Sequence, residues 1–508
     1  MRMLAAAIAV WTVSCAHHLD RKLGPTLQTV DMTAPVLQAH MRDGSVYVLD
    51  HWTIDDRAQV IHGTGQKLGA DRVPLAVAGP LEVRIPDVAL FETNTIATSA
   101  SVGAMAVITG VSAVVTAACI ANPKACFGSC PTFYAPDDAT GQPVLQAEGF
   151  SDAIAPALEK HDLDSLYRTT GHGGPFTLTV TNEAYETHVI KQADLLVVQR
   201  PPGGRVLATP EELWLASSVV PPAACTAAEG DCTEAVRALD GVERTSLTDD
   251  HDLAARETID LRFDGDARAL AGGRLGLAIG ARQTLVTTFL MYQGLAYLGT
   301  RATEWLAKLE RGDALASAGG RALRSLVGGI EVQLQGDDGA WHTVDEIYET
   351  GPLATDVHLA LLPEGARAGH VRLRLPKGGW RIDHVALATL TGPATPVRIS
   401  PDAIHGALGA EYAGGRRVAT AFPIVTLPGD RYELHYTLPP GDDYELVLDS
   451  RGYYLEWMRD AWLREENPLA ALAMFLDPAR AMRELAPAYK KLEPTAEKLF
   501  WSSRYAHP

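Results

Sequence analysis

The sequence predicts a multidomain α+β protein that is mainly β: a small barrel-like β domain, β-sandwich domains, helical insertions and a helical tail. Three observations lead there. Short alternating apolar runs recur along the chain, separated by turn clusters drawn from 45 glycines and 31 prolines, which is how strands and turns read in sequence. At roughly 150 residues per domain, a chain of 508 residues has room for about three hydrophobic cores. Helical spacing of apolar residues is confined to a few segments, chiefly an insertion near residue 283 and the tail from 450 onward. Apolar residues make up 47% and charged residues 21%, which excludes a disordered or fibrous chain. The net charge of -18 excludes nucleic acid as a partner, because binding a polyanion needs a basic footprint.

Residues 1–14 read as a signal peptide. Arg2 supplies the charge, Met3 to Val13 the short apolar core, and Ser14-Cys15 the small-residue exit. Ending at a cysteine resembles the lipobox of bacterial lipoproteins. That resemblance implies acylation of Cys15 and a protein held to the membrane through its lipid. A signal cut nearby without lipid is the alternative, and it leads to the same extracytoplasmic side. A linker, 15–30, follows. Residues 31–97 then carry about five β-prone runs (Ser45–Leu49, Gln59–His62, Val73–Ala78, Leu81–Ile85 and Val88–Phe91) and predict the small β domain.

Residues 98–144 hold an apolar segment and a cysteine loop. Thr93 to Pro123 has no charged side chain, and 103–121 suits a transmembrane helix by length. A cleaved signal argues against one crossing, since it would return the rest of the chain to the cytoplasm. A small-residue helix buried in protein or resting on the bilayer surface is the preferred reading. The cysteines fit an oxidising space: Cys225 with Cys232 and Cys126 with Cys130 are the disulfide candidates, and Cys119 is left as an inert thiol. Their spacings match no usual zinc or iron–sulfur pattern.

A β-rich domain is expected over 145–239, entered by a helical stretch from Phe150 to Leu166 and crossed by strands at Phe176–Val180, His188–Ile190, Leu195–Gln199 and Arg205–Leu207. In 240–395, strands at Glu257–Phe263, Leu275–Ile279, Ile330–Leu334, Val371–Leu375 and Trp380–Leu387 alternate as half-buried strands do. With Asp240-Gly241, Thr245 and Asp252-Leu253 ahead of them, they resemble galactose-binding-like jelly-roll sandwiches. That resemblance implies a sandwich and a carbohydrate site at loop tips, with no ligand set transferable by residue. The insertion 283–311 reads as a helix packed on the sandwich. A β-rich extension, 396–449, precedes the helical tail, 450–508. There Leu455, Met458 and Trp462 fall at helical spacing, Trp457, Trp462, Phe500 and Trp501 read as core anchors, and Pro468, Pro478, Pro487 and Pro494 mark breaks or first turns. Asn122 to Tyr134 and Gly452 to Met458 resemble a family of uncharacterised bacterial envelope proteins, which implies location and no mechanism.

No nucleophile elbow, zinc-protease helix, phosphate loop or dinucleotide fingerprint occurs in the chain. Gly171-His-Gly-Gly174 reads as a turn. Asp249, Asp250 and Asp252 cluster oxygen ligands of the kind calcium takes, although the EF-hand spacing is absent and a run of polar residues is usually a solvated loop. Glu186 and His188 share a face if extended, either as acid–base equipment or as a surface ion pair. The expected function is therefore that of a lipid-anchored envelope protein with a non-catalytic binding or structural role, its partner a glycan or an envelope protein. The alternative is a secreted hydrolase or metal-dependent enzyme whose site assembles from dispersed residues.

Overall fold

The computed structural model describes residues 17–24, 26–41, 45–68, 74–75, 77–98, 130–151, 153, 159–184, 186–264, 274–299, 328–348, 351–407, 416–419, 422–426, 429–456 and 465–502. The chain is mostly strand, as its composition of alternating runs requires.

Strands β1 (His17–Gly24), β2 (Val36–Met41), β3 (Val46–Asp55), β4 (Val60–Leu68), β5 (Gly79–Arg84) and β6 (Val88–Thr98) form one antiparallel sheet in the order β1-β6-β2-β3-β4-β5. One face collects Leu37, Ala39, Leu49, Ile61, Val83 and Phe91 into a core, the product of period-two alternation in each strand. The pairings leave β1 and β5 as edges. The barrel expected in this region is therefore an open sheet among the described residues. Part of the stretch read as linker is strand β1.

The next sandwich is built from two distant stretches. β7 (Thr132–Pro136), β8 (Pro143–Glu148), β9 (Lys160–Gly171), β10 (Gly174–Thr181) and β11 (Glu186–Gln199) come first in the chain. A second sandwich follows before the chain returns. It contains β12 (Arg205–Ala208), β13 (Leu213–Val220), β14 (Ala224–Ala227), β15 (Gly230–Asp231), β16 (Arg244–Thr245), β17 (Arg256–Arg262) and β18 (Arg274–Gln283). Helix α1 (Leu285–Leu298) comes next, then β19 (Ile330–Gln335), β20 (Trp341–Ile347), β21 (Asp356–Leu361), β22 (His370–Pro376) and β23 (Trp380–Pro393). The return supplies β24 (Val397–Ile399), β25 (Ala403–Ala407), β26 (Arg416–Ala419), β27 (Ile424–Thr426), β28 (Arg431–Leu438) and β29 (Tyr444–Glu456), before helices α2 (Pro468–Leu476) and α3 (Pro478–Ser502).

In the first sandwich, sheet β26-β25-β28-β10-β7-β8 faces sheet β24-β11-β29-β9. Their shared core holds Phe133, Leu178, Tyr432 and Tyr436 from one sheet and Leu166, Val189, Leu195 and Leu448 from the other. In the second, β13-β12-β21-β18-β23-β16 faces β15-β14-β17-β22-β19-β20 across Ile259, Leu277, Val332, Leu373, Trp380 and Ile382. A further pairing of β13 with β23 closes β12, β21, β18, β23 and β13 into a five-stranded barrel. Leu207, Ala278, Val357, Leu359 and Leu390 pack together there. Its Gly276 leaves the room that Leu359 and Leu390 fill, since a Cβ would sit 2.6 Å from Leu359 Cδ1. Val206, Leu213, Leu196 and Val447 weld this barrel to the first sandwich.

Three local expectations are corrected. The helical stretch expected up to Leu166 is strand β9 from Lys160 onward, because pairing with β29 overrides its local pattern. Tyr453–Glu456, expected to begin the helical tail, finish β29 against β11. Pro487 and Pro494 lie inside α3 and do not break it. Seven residues apart and both exposed, they share the helix's outer face, away from its packed side. Tyr489, Leu492 and Phe500 on the opposite face pack on α1 residues such as Phe289 and Leu290. Trp457, Trp462, the segment 103–121 and residues 300–311 of the insertion lie outside the described residues, as does any contact of the Trp501 side chain. No helix among the described residues is long and apolar enough to cross a membrane.

Candidate functional site

The sequence-predicted residues do not converge on one place. Cys225 and Cys232 form a disulfide, S–S 2.05 Å, that closes the β14–β15 hairpin beneath the second sandwich. Cys130 is buried at the start of β7, whereas Cys15 and Cys126 lie outside the described residues. Asp249, Asp250 and Asp252 are drawn apart. Asp249 Oδ2 accepts from Lys377 Nζ at 3.2 Å, Asp250 Oδ1 lies 3.4 Å from Lys490 Nζ, and Asp252 Oδ1 accepts the Ala254 N–H. Among the described residues no three acidic, histidine or cysteine side chains are grouped to hold a metal ion. The loop instead lies between the end of β22 and α3, with one lysine contact to each. Gly171 to Gly174 is the corner between β9 and β10, where Gly173 N–H donates to Gly441 O at 2.7 Å.

Glu186 and His188 are on one face of β11 as alternation requires, with His188 Nε2 3.1 Å from Glu186 Oε1. The surface ion pair is corrected, however: both side chains are 0% exposed. β11 is an inner strand, flanked by β27 and β29, so these positions face protein. Glu183 is buried nearby and accepts from Tyr134 Oη at 2.6 Å, Thr181 Oγ1 at 2.7 Å and Thr132 Oγ1 at 3.2 Å. Glu148 completes the cluster, accepting the Leu353 N–H at 2.8 Å. Burial pushes the Glu148 carboxyl up to about 7, against backbone N–H groups that favour its anion and with the Glu186 charge adding to the rise. Buried carboxylates that are hydrogen-bonded in this way hold adjoining segments together. Without solvent access, the Glu186–His188 pair has no substrate to reach.

An open polar surface stands elsewhere, on the outer face of sheet β14-β17-β22-β19-β20. Each strand turns its apolar residues inward, so its polar residues align in rows across the sheet. One row runs Thr226, Asp260, Arg372, Gln333, Thr343, and its neighbour runs Thr258, Arg374, Glu331, Glu346. Arg262 and His370 pair in the third row, which ends with Gln335 opposite Trp341. Arg372 forks onto Asp260 with bonds of 2.8 and 3.0 Å. Its guanidinium also lies 4.2 Å from the centre of the Trp341 ring, while His370 meets that ring edge-on at 4.9 Å. Arg374 Nη1 donates to Glu331 Oε1 at 2.6 Å, and Gln333 Nε2 donates to Glu331 Oε2 and Thr343 Oγ1. Arg372 with Asp260 and Arg374 with Glu331 are thus ion-paired on the scaffold, and Gln333 is buried among them.

Alternation within Glu257–Phe263, Ile330–Leu334 and Val371–Leu375 marks Asp260, Glu331, Gln333, Arg372 and Arg374 as outward-facing. Nothing local shows that these three runs are neighbours, or that Trp341 joins them on an edge strand. Compared with known proteins, the chain matches no family model and no curated sequence.

Proposed function

We propose that this is an extracytoplasmic envelope protein, anchored through lipid on Cys15, with a non-catalytic binding role carried by its β sandwiches. The register of the first sheet carries the reading. β1 and β6 run antiparallel with His17 opposite Thr98, so the chain enters at 17 and leaves at 98 from the same end of one ladder. The signal-like stretch ending at Cys15 and the uncharged stretch 103–121 are therefore both tethered to that end. An anchor at Cys15 holds the chain by that end, and the sandwiches follow on its aqueous side. The Cys225–Cys232 disulfide supports a non-reducing compartment.

The test is mass spectrometry of the amino-terminal peptide from bacterial membranes, with Cys15→Ser as control. An acylated Cys15 is expected at the start of the mature chain, and Cys15→Ser should leave the membrane fraction. An unmodified, uncleaved first peptide from the membrane-bound protein would sink the reading.

A further inference from the structure

We propose that His405 and His435, with Glu433 beside them, bind a divalent ion of the zinc kind on the outer face of sheet β26-β25-β28-β10-β7-β8. The site is independent of the anchoring and of any partner the sandwiches bind.

The pleat of two neighbouring strands brings the three side chains together. Tyr432, Leu434 and Tyr436 of β28 enter the core of the first sandwich, so Glu433 and His435 point outward, two residues apart on one strand. On β25, Ile404 enters the same core, and His405 points outward opposite Glu433. Opposite and diagonal side chains on one face of an antiparallel pair lie within reach of one another. The ring centroids of His405 and His435 are 4.9 Å apart. Two imidazoles on one tetrahedral zinc, each bound at about 2.0 Å, have centroids about 5 Å apart. His435 Nε2 lies 3.7 Å from Glu433 Oε2. That is too long for a hydrogen bond and close to the ~3.3 Å between two ligand atoms on such an ion.

The surroundings suit ligation. His435 Nδ1 is 3.1 Å from Thr177 Oγ1 on β10, the outer bond by which ligating histidines are oriented, and it leaves Nε2 for the ion. Arg431 approaches the other carboxylate oxygen of Glu433, Oε1, at 3.7 Å. His405 Nδ1 is buried with no hydrogen-bond partner among the described residues. As the side chains stand, their donors are not gathered on one point. Turning the His405 ring about its Cβ–Cγ bond, a broad torsion, gives up no bond at Nδ1 and brings the second imidazole to the ion. His435 is 37% and Glu433 43% exposed, so an ion and its completing waters reach the site from solvent. Imidazole nitrogen with carboxylate oxygen selects zinc and its copper and nickel neighbours over calcium or magnesium. By contrast, His62, His172 and His342 each meet a single carboxylate and bring one imidazole apiece.

The experiment is hydrogen exchange of the detergent-solubilised, metal-stripped full chain, with Zn2+ or Ca2+ added. Zinc should slow exchange in the peptides 403–407 and 431–438, and calcium should not. His405→Gln and His435→Ala should each raise the zinc concentration needed by at least about tenfold, and Thr177→Val, which removes only the outer hydroxyl, by about tenfold. His172→Ala should leave the response unchanged. Thermal melts without zinc that match the parent protein show that each variant folds. The proposal is overturned if zinc slows neither peptide, if calcium slows them equally, or if both histidine variants respond as the parent does. Zinc protection confined to other peptides, such as those holding the remaining cysteines, overturns it as well.

Discussion

Arg244 is the sharpest test of how the second sandwich is held together. Its guanidinium makes two forks, Nη1 and Nη2 onto Glu257 at 2.8 Å each, and Nε and Nη2 onto Glu229 at 2.6 and 3.0 Å. The carboxylates differ in burial: Glu257 is 5% exposed and Glu229 is 44% exposed. Replacing Arg244 by Met leaves the buried Glu257 charge with only Ser246 Oγ as a side-chain partner. The expected cost is about 3 kcal/mol, the lower end for stranding a buried charge. That is roughly a 150-fold rise in opening equilibrium, read as faster hydrogen exchange in the β17 peptide, 256–262. Glu229→Ala breaks the solvated fork, should cost at most about 1 kcal/mol, and should accelerate exchange by less than about fivefold. The double variant Arg244→Met, Glu257→Leu should recover most of the loss, because no charge is then left behind. Exchange in Arg244→Met within about fivefold of the parent protein would refute the reasoning, as would a larger effect from Glu229→Ala.

Three further outcomes are expected. Cys225→Ser with Cys232→Ser opens a ring of sequence separation 7 and should destabilise the second sandwich by ~2.5 kcal/mol. Urea unfolding with and without reductant checks this, and an unchanged midpoint counts against it. Glu148, raised from 4.5 to about 7 in the folded protein, binds its proton more tightly folded than unfolded. Stability should therefore be greatest below pH 4.5 as far as this group is concerned, and should fall as pH rises toward 7. Glu148→Gln should flatten that slope in thermal melts taken across the interval. Glu497 ties α3 to the second sandwich through Arg381 Nε at 3.0 Å and Arg282 Nη1 at 3.5 Å. Glu497→Ala should loosen the helix by about 1 kcal/mol, less at high salt, and limited proteolysis of the tail measures it.

Much of the strand content was legible, because Glu257–Phe263, Leu275–Ile279 and Tyr432–Leu438 alternate cleanly enough to assign both faces. The assembly was not. Arg372 and Asp260 are 112 positions apart in the chain, and β10 pairs with β28 across the whole second sandwich. Local periodicity carries no information on such pairings. Within Phe150 to Leu166, the part from Lys160 onward reads as helix because Leu163 follows apolar Ile154 and Leu158 among polar Glu159, Lys160 and Asp162. It became strand because β29 offered a partner, a tertiary choice that outweighs propensity. The prolines of α3 misled for the opposite reason: their cost depends on which face they occupy, and that face is set by α1. The aspartates at 249–252 looked like ligands in sequence, and only Lys377 and Lys490, distant in the chain, show two of them to be lysine partners.

The placement of polar groups separates joints between elements from the exposed surface. Glu445 is fully buried where β29 meets β12, clamped by Arg200 and Arg205, with Arg205 stacked 3.5 Å over the Tyr167 ring. Asp194 and Asp449, opposite one another in the β11–β29 ladder, share Arg398 from β24. Glu148 receives the 353–354 backbone and so joins β8 to the second sandwich. Each of these networks sits where one element meets another. Removing a member strands a buried partner, so the arrangement serves rigidity. The β14-β17-β22-β19-β20 face is different in kind. Asp260, Glu331, Arg372 and Arg374 are partly exposed there and held by one another, with Gln333 buried among them and Trp341 beside them.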